Sequence, residues 1–88
     1  MPQVKLFGIL RRYAGSPQLE LPGTTVRAVL EALCAMNTEL CAAIRDENGL
    51  RQYVRAMLNG HDVELAQGLD TPLAPNDEIA IFPPIAGG

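Results

Sequence analysis

The sequence predicts an α+β domain in which a small sheet packs on one main helix. Three observations predict it. Short stretches of alternating apolar and polar residues lie near both ends of the chain. Between them, one segment, Val26 to Met36, places its apolar residues at helical spacing. Later, Asn59-Gly60 separates two extended runs, the dipeptide favoured in a two-residue hairpin turn. The order of elements is strand, strand, helix, strand, short strand, strand. A helix that follows a hairpin buries its stripe on one sheet face, and the other face stays largely uncovered.

Val4-Lys5-Leu6-Phe7-Gly8-Ile9-Leu10 reads as the first strand, with Val4 and Leu6 on one face and Lys5 and Phe7 on the other. Gly15-Ser16-Pro17 supplies a turn, Leu19-Glu20-Leu21 a second strand, and Pro22-Gly23 its end. Thr24 or Thr25 is a natural helix N-cap. Val26, Val29, Leu30, Leu33 and Met36 then form a one-sided apolar stripe, with Arg27 and Glu31 on the solvated side. Asn37-Thr38 interrupts the helix, Leu40 to Ile44 makes a shorter turn, and Asp46-Glu47-Asn48-Gly49 breaks the pattern. Tyr53 to Leu58 is a strand, His61 to Glu64 its short returning arm, and Gly68 to Leu73 a loop or single turn. Pro75-Asn76-Asp77 turns the chain into the last strand, Glu78 to Phe82.

The 88 residues are 48% hydrophobic and 19% charged, which suits one folded domain and argues against disorder. A net charge of −3 gives no footprint for nucleic acid, and no Lys/Arg cluster suits an anionic membrane. No signal-peptide pattern opens the sequence and no apolar run reaches the roughly 20 residues of a membrane helix, so a cytoplasmic protein with protein partners is expected. Cys34 and Cys41 are spaced neither as a redox CxxC nor as a zinc pair, and read as two small buried thiols. His61 has no second ligand nearby, so no metal is expected. Asp62, Glu64, Asp77 and Glu78 sit at turns, where solvated acids are common. No phosphate-cradling glycine loop or nucleophile–base set occurs, so ATP is expected on a partner and no cofactor on this chain.

The functional weight falls on the ending Phe82-Pro83-Pro84-Ile85-Ala86-Gly87-Gly88. Proline fixes φ and lacks an N–H, so Pro83-Pro84 ends the last strand. This divides the chain into a domain, residues 1–82, and an extended tail, residues 83–88, with a reach of up to roughly 20 Å. Gly87 and Gly88 carry no Cβ, so another protein can close around them through a narrow channel. The reactive group is the Gly88 α-carboxylate, ionised at neutral pH and a poor electrophile until activated.

Phe7, the Val26–Leu33 helix, Asn59-Gly60, the Asn76-Asp77-Glu78 turn and the F-P-P-hydrophobic-x-G-G ending together resemble the ubiquitin-like sulfur-carrier family of the MoaD and ThiS type. The likeness runs nearly end to end and is greatest to MoaD, the small subunit of molybdopterin synthase. It implies a β-grasp fold, a mixed sheet of about four to five strands around one helix. It further implies that an ATP-dependent activating enzyme adenylates Gly88, and that a sulfur donor then makes a thiocarboxylate there. The sulfur would pass to an accepting enzyme such as the large subunit of molybdopterin synthase, with the catalytic groups on the partners. Residues 46–53 and 67–71 look more like carriers serving cysteine biosynthesis, or archaeal small modifiers. Sulfur delivery for cysteine, thiamin or tRNA, and isopeptide modification of proteins through Gly88, therefore stand as alternatives. A plain binding module whose tail does no chemistry is the remaining one.

Period-two alternation turns Val4, Leu6, Val54, Ala56, Leu58, Ile79 and Ile81 toward the helix. It leaves Lys5, Phe7, Arg55, Met57 and Phe82 on the open face, an apolar platform with basic groups beside the tail. These five, with Pro83, Pro84, Ile85 and Ala86, are the expected partner-binding residues.

Overall fold

The computed structural model describes residues 1–83. Its main sheet has five strands in the order β2-β1-β7-β5-β6. These are β1 (Gln3–Leu6), β2 (Gln18–Glu20), β5 (Arg55–Leu58), β6 (His61–Asp62) and β7 (Glu78–Phe82). β1 and β7 run parallel in register Val4↔Ile79 and Leu6↔Ile81, while the other pairs are antiparallel, so the sheet is mixed. The helical layer is α1 (Ile9–Ala14), α2 (Val26–Met36) and α3 (Thr38–Ile44). The expected α+β β-grasp holds, but the one main helix has two shorter companions.

α2 forms where the apolar stripe placed it. Thr25, extended at φ −141° and ψ 162°, accepts the Ala28 N–H through its side chain and is the N-cap. Val26, Val29, Leu30 and Leu33 are buried, each such side chain contributing about 1.5–3 kcal/mol relative to exposure. Their counterparts are Val4, Leu6, Ala56, Ile79 and Ile81 on the sheet and Val54 just before β5, also buried, with Leu58 packed at the margin. Met36, placed on the stripe by spacing, is exposed because α2 ends there.

The first strand is shorter than expected. It ends at Leu6, and α1 begins at Ile9. Gly8 takes φ 59° and ψ −137°, reversing the chain so that Leu10 drops into the core while Ile9 faces out. Leu10, Tyr13 and Ala14 are the residues of α1 that meet the core, a helical spacing hidden inside an apolar run. Residues 46–49, read as a break, form a small hairpin of β3 (Arg45–Asp46) and β4 (Gly49–Leu50). The strand expected from Tyr53 begins only at Arg55, since residues 51–54 form a turn closed by Val54 N–H to Arg51 O.

The two cysteines are not free thiols. Cys34 near the end of α2 and Cys41 in α3 are joined as a disulfide. Spacing alone misled because the Asn37 break folds two helices back where a continuous helix would hold the pair apart.

Asn59 ties two turns together. With φ 48° at Asn59 and 88° at Gly60, the β5–β6 turn takes the left-handed backbone that Asn-Gly suits. The Asn59 amide donates to Asp77 Oδ1 (3.1 Å) and its Oδ1 accepts the Glu78 N–H (3.1 Å). Asp77 Oδ2 accepts the Ala74 N–H (2.8 Å). That backbone bond first, and the Asn59 amide second, hold the Asp77 carboxyl below the usual aspartate range. A folded-state value below the unfolded one stabilises the fold above the unfolded value, and the gain is lost as pH falls through the folded one. The melting-temperature gap between wild type and Asp77→Asn is therefore expected to be constant near neutrality and to narrow below about pH 4. A gap that stays constant down to pH 2 would count against the Asp77 clasp.

Candidate functional site

The sheet face turned away from the helices is the candidate site. Strand register builds it in two rows. Lys5, Ala80 and Met57 lie side by side across β1, β7 and β5. Beside them Phe82 pairs with Arg55, while the Phe7 N–H donates to Ile81 O (3.2 Å) and so keeps Phe7 alongside β7. The rings of Phe7 and Phe82 stack with centroids 4.4 Å apart and planes 12° from parallel. All five expected residues of the face, Lys5, Phe7, Arg55, Met57 and Phe82, thus come together. Lys5, Phe7, Met57 and Phe82 are partly buried and Arg55 is exposed.

Two cations on the face already have partners. Lys5 Nζ lies 3.3 Å from Glu78 Oε1, and Arg55 Nη1 lies 3.6 Å from Asp62 Oδ2. Such exposed pairs are worth about 0–1 kcal/mol, so they orient side chains more than they hold the fold. Asp62 Oδ1 also accepts the Glu64 N–H, capping the turn after β6 (2.9 Å). Of the four turn acids, Asp62 caps a turn and pairs with Arg55, Asp77 holds its own turn, and Glu78 pairs with Lys5. Among the described residues no group of three or more His, Cys, Asp or Glu side chains could hold a metal. No described helix is long and apolar enough to cross a membrane.

Two residues that matter here escaped the sequence reading. Arg11, on α1, reaches back to donate from Nε to Leu6 O (2.9 Å), with its guanidinium carbon 5.4 Å from the Phe7 ring centroid. A groove of about 250 Å³ opens there, lined by Lys5, Leu6, Phe7, Arg11, Pro17 and Gln18. Gly8 is the second. A Cβ on Gly8 would stand 2.9 Å from Cγ of Pro83, so the chain leaves the sheet across a surface only glycine can offer. The sequence signal for both lay in Gly8 followed by helical spacing from Leu10. Gly8→Ala is expected to destabilise the fold by about 1–3 kcal/mol, from the positive φ, and to shift the Pro83 resonances. An unchanged melting temperature with Pro83 in place would refute this account of Gly8.

The outer edge of β2 is engaged at its first residue. Ser16 Oγ donates to Gln18 O (2.8 Å) and accepts the Gln18 N–H (3.4 Å), occupying backbone groups that an added strand would need. Pro84, Ile85, Ala86, Gly87 and Gly88 lie outside the described residues.

The mixed five-stranded sheet, its helical layer and its single open face define a small ubiquitin-like protein of the β-grasp class. The sequence matches the ThiS family over residues 4–88, and the chain belongs to that family of small sulfur-carrier proteins. It is 31% identical to the sulfur carrier protein CysO of Mycobacterium tuberculosis over 84 residues, covering 91% of this chain and 90% of CysO. The solution structure of small archaeal modifier protein 1 from Methanosarcina acetivorans is similar at a TM-score of 0.91 and 35% identity, covering 99% of this chain and 95% of that one. A chain of the Amycolatopsis orientalis BexX/CysO complex is similar at a TM-score of 0.89 and 26% identity, with both chains fully covered.

Proposed function

We propose that this chain carries sulfur on Gly88. An activating enzyme would bind ATP, and the Gly88 carboxylate would attack its α-phosphorus, releasing pyrophosphate and forming an acyl-adenylate. A sulfur donor would then displace AMP from the acyl carbon, leaving a terminal thiocarboxylate. The chain's own contributions are the carboxylate, the narrow Gly87-Gly88 approach and a docking face of Lys5, Phe7, Arg55, Met57 and Phe82. Pro83 to Ala86 would thread the partner's channel.

The observation that carries this reading is the place of β7. The strand that leads into Pro-Pro-Ile-Ala-Gly-Gly ends at Phe82, and Phe82 is itself half of the aromatic stack on the open face. A partner that docks on the stack is therefore already at the root of the tail. The resemblance to MoaD makes the large subunit of molybdopterin synthase the first acceptor to try, followed by enzymes forming cysteine, thiamin or thiolated tRNA.

The test is intact-protein mass spectrometry of the chain incubated with its native activating enzyme, ATP and a sulfur source. The expected result is a mass gain equal to one oxygen exchanged for sulfur, located on Gly88 and absent without ATP. Adenylate formation with no such gain would overturn sulfur carriage. A second reading has its own support in the likeness to small archaeal modifier protein 1. Under it, Gly88 forms an isopeptide bond with a target lysine, and higher-mass conjugates that disappear when Gly88 is deleted would favour it.

A further inference from the structure

The Cys34–Cys41 bond joins α2 to α3 in the helical layer, away from the open sheet face. The two Cα atoms are 4.3 Å apart, whereas seven residues of continuous helix would separate them by about 10.5 Å. The bond is therefore compatible only with the break at Asn37, where the backbone is extended at φ −157° and ψ 123°. The break, however, does not depend on the bond. Asn37 Oδ1 accepts the Leu40 N–H (2.9 Å), and its amide donates to Tyr13 O (2.9 Å). Leu33, Leu40 and Ile44 are fully buried beneath it. The same backbone is thus supported with the sulfurs joined or apart.

Both cysteines are partly exposed, flanked by exposed Ala35, Met36 and Ala42, so a thiolate in solution can approach the bond. α3 is only seven residues long, too short to hold its helix without tertiary support, and the bond adds a second covalent tie to α2 beside the backbone at Asn37. The pair also lies in the helical layer, across the sheet from Lys5, Phe7 and Phe82. We propose that Cys34–Cys41 is a site of reversible thiol–disulfide exchange, taking a dithiol as its reductant, and that its state sets the local stability of α3 while leaving the open face unchanged.

The step balances. A thiolate of the dithiol attacks one sulfur, the S–S bond breaks, and the released cysteine thiolate takes a proton. The dithiol's second thiol then attacks the mixed disulfide and frees the second cysteine. Two electrons and two protons pass to the chain, and the dithiol leaves as its own disulfide.

The test uses the full chain purified without reductant and then treated with dithiothreitol in native buffer. Expected are a mass gain of two hydrogens and alkylation of both Cys34 and Cys41 without denaturant. The melting temperature should fall by about 5–15 °C. Hydrogen exchange should quicken over residues 37–44, while the amide resonances of Lys5, Phe7, Ala80 and Phe82 stay in place. Without reductant, the double variant Cys34→Ser, Cys41→Ser should melt like the reduced wild type. A bond that opens only in denaturant would overturn the proposal. So would a reduced chain that melts and exchanges like the oxidised one, or thiols that oxidised glutathione fails to rejoin. Open-face resonances that move as far as those of residues 37–44 would also overturn it.

Discussion

Deleting Gly88 is expected to reduce adenylation by at least about 1,000-fold while leaving the melting temperature unchanged. The proposed chemistry acts on one atom set, the terminal carboxylate. Removing one residue pulls that carboxylate back by about 3.5 Å. A displacement of roughly 1 Å at a reacting centre can cost about 100-fold, so several ångströms should leave little rate. The fold is expected to have no stake in the deletion, because among the described residues the core runs from Val4 to Ile81. ATP–pyrophosphate exchange with the native activating enzyme measures the first effect, and thermal unfolding the second. Wild-type exchange by the shortened chain would sink the proposed site. Exchange lost together with the fold would contradict the independence of tail and domain.

Phe82→Ala is expected to weaken binding to the activating enzyme and to the sulfur-accepting enzyme by about 30-fold, the equivalent of roughly 2 kcal/mol at a central aromatic contact. The substitution removes one ring of the stack and leaves Phe7 without its partner. Some loss of stability should accompany it, about 0.5–1.5 kcal/mol for the aromatic pair beyond the area lost. Phe82→Leu separates the two effects, since it keeps apolar bulk but not the stacked geometry. Titration calorimetry against each partner reads the result. Unchanged affinity for both would mean that the open face is merely a half-wet surface.

Much of this architecture was legible because single residues dictate it. Asn59-Gly60 could close only a tight hairpin, and its left-handed backbone angles are those the dipeptide prefers. The α2 stripe needed a partner surface, and the period-two runs ending in Glu78 to Phe82 supplied one. The same alternation puts Lys5, Phe7, Arg55, Met57 and Phe82 on one face, as the sheet does. The failures have equally local causes. Leu6 to Leu10 is an apolar run too short for its period to distinguish strand from helix, so α1 and with it Arg11 were missed. β3 and β4 have two residues each, less than a full alternation. The disulfide depends on the angle between two helices, a tertiary fact that a spacing of seven does not encode.

The strand order has a mechanical consequence. β7 is the middle strand, bonded along both sides to β1 and β5, and it is the strand from which Pro83 departs. An enzyme that grips the chain beyond Pro83 and tugs along the strand axis loads two ladders in shear, so many hydrogen bonds must give at once. A tail hung from an edge strand could instead be peeled away one bond at a time. In the proposed carrier role, the domain would therefore withstand being drawn by its end from one enzyme to the next.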